Sequence, residues 1–217
     1  MNKTITVKGI GTASARPDCV VISMSLESKN KEYDKAMELA SENIGLLTAA
    51  LVAAGFKKDA LKTTDFCVHT AYESIRKEDG NYERVFSGYV ISHSLKVEFD
   101  FESERLSQVL NAIGSCPAHP ELSIVFTVKD PSAVSEEMLR AASTNARRKA
   151  EILSEASGRR LGELLSIDYN WGELSFCSNT RYESAEEWIA PIKAKTIEFE
   201  PEDIDASDTA TFVWEIL

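Results

Sequence analysis

Alternating apolar and polar residues predict strands over much of the chain. The alternation starts at Ile5 and Val7, and a second run places four apolar residues on one face (Val20, Ile22, Met24, Leu26). Two further runs, near Asp65–Glu73 and Phe86–Phe101, flank a polar stretch that contains the turn signal Asp79-Gly80-Asn81. We therefore expect a long hairpin in the first half of the chain.

Helical spacing appears three times between these strands. One stripe ends at Gly55 and has apolar residues at steps of three and four (Tyr33, Met37, Ala40, Ile44, Leu47, Leu51). A shorter stripe ends at Gly114 (Leu106, Val109, Leu110, Ile113). Asp130-Pro131 suits the start of a third helix, which Gly158 closes. Its predicted inner face is rich in small residues (Leu139, Ala142, Ala146, Ala150, Leu153, Ser157).

The remaining strands are predicted in the second half. Leu122–Val128 and Leu164–Tyr169 read as strands, and Asn170–Ile189 as a long irregular loop. Two final strands are expected at Ile192–Phe199 and Thr209–Leu217. The order β-β-α-β-β-α-β-α-β-β-β indicates an α+β fold, with two long helices and one shorter helix packed on a largely antiparallel sheet. We expect a single domain over residues 1–217, with two close lobes as the alternative.

Charge and composition narrow the class of protein. The net charge is −11, and residues 163–217 carry 3 basic and 13 acidic side chains, so nucleic acid is not an expected partner. No apolar run approaches the ~18 residues of a membrane span, and the N-terminus lacks the apolar core of a signal peptide. We therefore expect an acidic cytoplasmic protein whose four dispersed cysteines are reduced thiols.

Candidate chemistry is sparse. Gly9-Ile10-Gly11 begins like a dinucleotide loop, but it lacks the third glycine and the following helix, so we interpret it as a connection between strands in which glycine gives backbone freedom. Cys67 and His69 share a strand face and could form a thiolate with a base, or two metal ligands. An outward hairpin face is the simpler interpretation. No catalytic residue, metal ligand or cofactor site is predicted.

Aromatic residues are a stronger signal than the titratable ones. They concentrate in the hairpin and in the irregular loop, and exposed aromatic clusters mark interfaces or ligand grooves. Buried aromatics capping the ends of the sheet are an equally good explanation. The candidate interface residues are Tyr72, Tyr89, Trp171 and Trp188.

Taken together, these segments resemble the SIMPL-domain family, a domain of unknown function that includes periplasmic immunogenic proteins. The resemblance is carried by Ile5-Thr6-Val7-Lys8-Gly9-Ile10-Gly11, Arg16-Pro17-Asp18, Gly55-Phe56, Thr63-Thr64-Asp65-Phe66, Tyr72-Glu73, Gly88-Tyr89, Ala141-Ala142, Lys149-Ala150-Glu151, Leu161-Gly162, Phe199-Glu200-Pro201 and Val213-Trp214-Glu215-Ile216. It implies an α+β fold, a tendency to self-associate and no established catalytic site. Many members look exported, whereas this sequence begins directly at its first predicted strand.

These observations favour a non-enzymatic homo-oligomer that acts as a binding or scaffold module. The open edge of the hairpin is a natural place for pairing with another subunit. The alternative is a small-ligand-binding protein or a thiol-dependent enzyme that uses Cys67 and His69.

Overall fold

The computed structural model describes residues 3–77, 81–169, 174–183 and 198–217 of the chain. Its helices and strands follow the predicted order, so the α+β class is confirmed. They are β1 Thr4–Ala15, β2 Cys19–Asn30, α1 Tyr33–Ala53, β3 Lys62–Arg76, β4 Tyr82–Asp100, α2 Ser103–Gly114, β5 Glu121–Thr127, α3 Pro131–Ala156, β6 Leu161–Asp168, β7 Cys177–Glu183 and β8 Ile204–Ile216.

The strands form two sheets, and the chain divides into two compact units. The first unit comprises Met1–Asp18, Thr127–Asn179 and Pro201–Leu217, and the second comprises Cys19–Phe126 and Thr180–Glu200. One sheet has the strand order β1-β8-β6, and the other has the order β3-β4-β2-β5-β7. The sequence predicted antiparallel pairing but not this division into two sheets.

In the first unit, α3 packs on the sheet formed by β1, β8 and β6. β1 and β6 both pair antiparallel with β8. Every second residue of β1 is buried or half-buried, and its Val7 joins Phe212 and Trp214 of β8 in a core closed by small residues of α3. The alternation that predicted a strand at Ile5 and Val7 is therefore the alternation between the helix-covered face and the solvent-facing face.

The structure corrects the sequence interpretation of Gly9-Ile10-Gly11. The two glycines lie inside β1 and not in a connection between strands, and neither has a positive φ. A Cβ added at Gly9 would lie 2.2 Å from the carbonyl oxygen of Ala142, and one at Gly11 would lie 1.8 Å from that of Met138. Glycine is required there because the helix backbone passes directly over the strand, and not for conformational freedom.

The start and end of α3 follow the sequence signals, but its buried face differs from the predicted one. Asp130 Oδ1 accepts hydrogen bonds from Ser132 N at 3.0 Å and Ala133 N at 3.2 Å, with Pro131 in the first turn. The buried residues repeat every four positions (Val134, Met138, Ala142, Ala146, Ala150, Ser154). The predicted inner residues Leu139, Leu153 and Ser157 are half-buried or exposed, because the contact follows a single i, i+4 ridge.

In the second unit, α1 and α2 cover one face of the sheet. The predicted apolar face of β2 is fully buried, and it packs with β4, β5 and both helices. The fully buried side chains of this core include Ile22, Leu47, Leu51, Leu106, Ile113, Ile124, Phe126 and Val97. α1 ends at Ala53, two residues before Gly55, whose φ is +90°, and Phe56 N donates to Leu51 O at 3.0 Å.

Within the described residues, α1 is long and apolar enough to cross a membrane, contrary to the sequence expectation that no segment comes close. The core helix of a globular domain passes the same test, and near the N-terminus a signal sequence does as well. Here Leu47 and Leu51 are buried against the sheet. Four of the 21 residues of α1 are buried, so the helix packs on the sheet through one face and is not buried all round.

The C-terminal quarter departs most from the sequence prediction. β7 occupies Cys177–Glu183, inside the stretch that was predicted to be a loop. Most of the strand predicted at Ile192–Phe199 lies outside the described residues, and Glu198 and Phe199 are not in a strand. The seventh strand is therefore present in the predicted order but at a different place in the chain.

Candidate functional site

The open side of β3 is the main exposed feature of the second unit. β3 has 15 residues, stands at the edge of its sheet and pairs with β4 alone among the described strands. Fourteen of its residues are exposed and only Ala71 is half-buried. On its outer side, the N–H and C=O groups that do not pair with β4 face away from the sheet.

β3 and β4 form the predicted hairpin, with two irregularities. One lies at Thr64, between the pairs Thr63↔Leu95 and Asp65↔Ser94, and the other lies between Ala71 and Tyr72, where β4 has an extra residue. Gly88 sits at the second irregularity with a φ of +145°, and a Cβ there would lie 2.6 Å from Asn30 O. This glycine thus lets the hairpin bend closely past the end of β2.

On the helix-facing side of the hairpin, aromatic rings form a continuous row. Tyr33 contacts Tyr89 at 5.5 Å between ring centroids, Tyr89 contacts Phe86 at 5.4 Å, and Phe86 contacts Tyr72 at 5.9 Å. All three contacts are edge-to-face, the favoured arrangement for aromatic pairs. The Arg84 guanidinium lies 4.7 Å from the centroid of the Tyr72 ring. We call the four rings, Tyr33, Tyr89, Phe86 and Tyr72, the aromatic row.

The aromatic row is only partly covered by the protein. Tyr89 and Met37 pack beside a small core formed by Ala36, Ala40 and Ile91. Beyond this core the rings become exposed, with 46% of Tyr72 and 41% of Phe86 accessible. The row therefore leads from the core of the unit to its open edge.

The opposite face of the hairpin carries a polar cluster. Glu73 Oε1 accepts hydrogen bonds from Ser87 Oγ and from Lys29 Nζ, the latter at 3.1 Å. The hydrogen bond from Ser87 and the bond and positive charge of Lys29 lower the pKa of the Glu73 carboxyl below its ordinary value. Glu73 is therefore an ionised carboxylate at neutral pH.

His93 marks the base of the hairpin. Its ring is buried and contacts Phe66 at 5.1 Å, and its Nε2 shares a 2.8 Å hydrogen bond with Thr63 Oγ1. Nδ1 has no partner within the described residues. Burial lowers the pKa of His93, so the neutral ring is favoured.

Cys67 and His69 lie where the sequence placed them, on the outward face of β3, opposite Ser92 and Val90 of β4. Both are exposed, and neither side chain has a hydrogen bond or ion pair within the described part of the chain. No group of three or more potential metal ligands occurs among the described residues. The structure therefore brings no third residue to this pair, and nothing in it favours the thiol-dependent alternative. None of the four cysteines forms a disulfide.

The predicted interface residues fall into two groups. Tyr72 and Tyr89 are brought together through Phe86, in one row. Trp171 and Trp188 lie outside the described residues. The sequence analysis did not select Tyr33 as an interface residue, because its helical spacing assigned it to a buried face, yet it is 46% exposed.

The first unit has an open edge of its own at β6. Its Leu164, Leu165 and Ile167 are exposed, and an open groove of about 420 Å³ runs between β6 and α3. Arg147 and Glu151 form an ion pair at 2.9 Å on the helix side of this groove. With 8 residues and two register shifts against β8, β6 is a shorter and less regular edge than β3.

Comparison with known proteins identifies relatives of the whole fold. The model of the SIMPL family, described as a protein of unknown function (DUF541), matches residues 5–214. The chain is 26% identical over 163 residues to the 26 kDa periplasmic immunogenic protein of Brucella melitensis biotype 1, and equally so to that of Brucella abortus strain S19. The alignment covers 75% of this chain and 65% of each relative, so it spans less than two thirds of their length.

The names of these two relatives contradict the expected cytoplasmic location. Both curated relatives are named periplasmic, which points to an exported protein, and the expectation of a cytoplasmic protein was wrong. It rested on the absence of a signal segment at the start of the sequence, which carries no information about a longer precursor.

Proposed function

Because the chain belongs to the SIMPL family, whose function is unknown, we propose from its own structure that it is a non-enzymatic, self-associating binding or scaffold module. The observation that carries the proposal is the open edge of β3, flanked by exposed apolar side chains. Neither the family description nor the arrangement of Cys67 and His69 points to a reaction.

The edge of β3 has few of the features that prevent edge-to-edge pairing. Proteins protect such edges with proline, with bulges, or with very short or heavily charged strands. β3 contains no proline, its own extra residue at Thr64 lies near its start, and the extra residue of the irregularity at Ala71/Tyr72 lies on β4. From Phe66 to Tyr72 it has no charged residue. A partner strand could therefore pair along this segment without burying an uncompensated charge.

The apolar side chains next to this edge favour a protein partner. Phe66, Val68, Tyr72 and Ile75 of β3 are all more than a third exposed. Aromatic residues contribute strongly to association because they bury large areas at low cost in conformational entropy. Tyr72 is the clearest anchor, since its ring is held by Phe86 and Arg84 before a partner arrives.

We further propose that the protein acts outside the cytoplasm, as the names of its relatives suggest. Its net charge of −11 is compatible with a soluble assembly, since a net charge far from zero opposes nonspecific aggregation. Specific contacts such as those on β3 would have to overcome this repulsion, so assembly should strengthen as salt is added.

Light scattering after gel filtration, at low and moderate salt, tests the proposal. We expect a discrete oligomer for the native chain and a monomer for Thr70→Lys/Tyr72→Lys, which places two cations on the open edge. The matched control is Leu164→Lys/Ile167→Lys, the same change on the edge of β6, and it should leave the native mass unchanged. Circular dichroism checks that each variant is folded. A monomeric native protein at all salt concentrations would contradict the proposal.

A further inference from the structure

We propose that β3 pairs antiparallel with β3 of a second copy of this chain, in the register that places Ala71 opposite Ala71 of the copy. The inference rests on the proposed self-association and specifies its surface and alignment. The pairing would join two sheets of order β3-β4-β2-β5-β7 edge to edge, through a twofold axis perpendicular to the sheet.

Symmetry limits the possible registers. A twofold axis through the centre of two antiparallel strands keeps each face of the sheet on the same side in both copies. Each allowed register is therefore defined by the single residue that lies opposite its own copy. The candidates along the middle of β3 are His69, Thr70, Ala71 and Tyr72.

Charge excludes the register that would pair the whole strand. Centring on His69 pairs all of Lys62–Arg76 with itself. It would place Lys62 opposite Arg76 and Asp65 opposite Glu73, and symmetry repeats each contact. Like charges directly opposite each other destabilise a sheet, so four such contacts disfavour this alignment.

Centring on Ala71 replaces repulsion with attraction. Asp65 then lies opposite Lys77, and Glu73 lies opposite His69, again twice each by symmetry. Lys77 follows the end of β3 and forms a 2.9 Å ion pair with Glu83 of β4, and its side chain is about half exposed. Glu73 is kept ionised by Ser87 and Lys29 and can accept a hydrogen bond from an imidazole N–H.

The shape of β3 leads independently to the same centre. The irregularity at Thr64 interrupts pairing on the N-terminal side, and the strand leaves the sheet after Arg76. The second irregularity, between Ala71 and Tyr72, places its extra residue on β4, so β3 itself has no extra residue from Asp65 to about Lys77. Ala71 is the midpoint of this stretch. A register centred on Thr70 or His69 would extend the new ladder to the bulged residue Thr64.

The aromatic row gives a third reason. Tyr72 is its outermost ring, next to Phe86 at 5.9 Å. With Ala71 at the centre, Tyr72 lies opposite Thr70 of the copy and diagonal to Tyr72 of the copy. Diagonal residues in antiparallel sheets are about 7–8 Å apart, within reach of aromatic side chains. The two aromatic rows would thus meet and bury the rings that the single chain leaves exposed.

Cysteine cross-linking of the full chain tests the register. The background variant is Cys67→Ser/Cys177→Ser, which removes the two exposed thiols. Single cysteines are then placed by His69→Cys, Thr70→Cys, Ala71→Cys and Tyr72→Cys, and disulfide-linked dimer is measured after mild oxidation. Residues directly opposite lie 4.5–5.5 Å apart, within disulfide range, whereas diagonal ones lie beyond it.

We expect Ala71→Cys to cross-link to itself several times more efficiently than the other three. An equal mixture of the Thr70→Cys and Tyr72→Cys variants should form a disulfide-linked heterodimer, whereas neither variant alone should cross-link efficiently. Preferred cross-linking of His69→Cys, Thr70→Cys or Tyr72→Cys would overturn the register. If none cross-links but light scattering shows an oligomer, the β3 interface is wrong while self-association stands. A monomer in which none cross-links would overturn both, and would leave the edge available to a different protein.

Discussion

β1 and β3 are both long strands with alternating sequences, yet the protein uses them in opposite ways. β1 has one face pressed against α3 so closely that Gly9 and Gly11 have no space for a methyl group. β3 is exposed along nearly its whole length, and apart from its ladder with β4 it has little packing. The apolar residues of β1 therefore pack in the core of the first unit, whereas those of β3 remain exposed.

The difference shows that apolar alternation alone does not tell which strands are covered. For β1 the deciding signal is the pair of glycines combined with the small residues of α3, which together allow close contact. For β3 the corresponding signal is the absence of any such matching face in the described part of the chain. The predictions below test this contrast, beginning with the largest expected effect.

Gly11→Ala, in the first unit, should cause the largest loss of stability. Its Cβ would lie 1.8 Å from the backbone oxygen of Met138, so the strand or the whole helix must move. Overpacking of this kind costs roughly 3 kcal/mol. Urea denaturation should show a loss of that size in the free energy of unfolding.

Gly45→Ala is the matched control for that substitution. Gly45 lies in α1, and a Cβ there would have nothing within 4 Å. Alanine should therefore stabilise the protein by about 0.5–1 kcal/mol, because it lowers the conformational entropy lost on helix formation. An equal loss of stability in both variants would mean that close packing of α3 is not what Gly11 provides.

Gly88→Ala should weaken the hairpin at a tightly packed point. The substitution combines a φ of +145° with a Cβ lying 2.6 Å from Asn30 O. Strain of this kind costs about 2 kcal/mol. If the bend at Gly88 orients the open edge, Gly88→Ala should also weaken the oligomer. On dilution the variant should then dissociate at a higher protein concentration than the native chain does, as measured by light scattering. An unchanged unfolding curve would contradict the assigned strain.

Asp130→Ala should have a smaller effect, confined to the first unit. It removes the acceptor for Ser132 N and Ala133 N at the start of α3. Loss of such a cap costs about 1 kcal/mol. Asp130→Asn keeps an acceptor and should restore most of the stability in thermal denaturation. No recovery with asparagine would show that the carboxylate acts through its charge instead.

The smallest effect is a pH dependence from His93. Burial lowers its pKa in the folded state, so the unfolded chain binds a proton more readily. Stability from this group is complete above the unfolded pKa of about 6.5 and falls as the pH drops below it. The slope from one group cannot exceed about 1.4 kcal/mol per pH unit.

His93→Gln, which does not titrate and can still bond Thr63, should flatten this dependence between pH 7 and pH 5. His119→Asn, which replaces an exposed histidine outside β3 at a position with a φ of +46°, serves as the control, and the slope should persist in it. Equal curves for the native chain and His93→Gln would show that the buried imidazole is not responsible.

Much of the fold could be predicted because its elements carry strong local signals. The buried face of β4 alternates as the sequence indicates, and Gly55 and Asp130 end and begin helices where expected. The inner face of α3 was misplaced because alanines fit several helical faces, and only the close approach of β1 selects among them. β7 was missed because its sequence, Cys177–Glu183, is polar and lacks an apolar stripe.

The candidate site was predictable only in its components. The hairpin, the shared face of Phe66, Val68, Thr70 and Tyr72, and the choice of Tyr72 and Tyr89 as candidate interface residues follow from alternation and aromatic content. That β3 stands at the edge depends on the strand order, which is a tertiary property. The contact of Tyr33 with Tyr89 likewise joins α1 to β4 and has no local sequence signal.

Hydrogen–deuterium exchange at increasing protein concentration tests the central claim most directly. If β3 of one copy pairs with β3 of another, backbone amides between Phe66 and Ser74 should become protected as the oligomer forms, while those of β6 stay unchanged. If these β3 amides exchange equally fast at every concentration in a sample that light scattering shows to be oligomeric, the edge of β3 is not the interface.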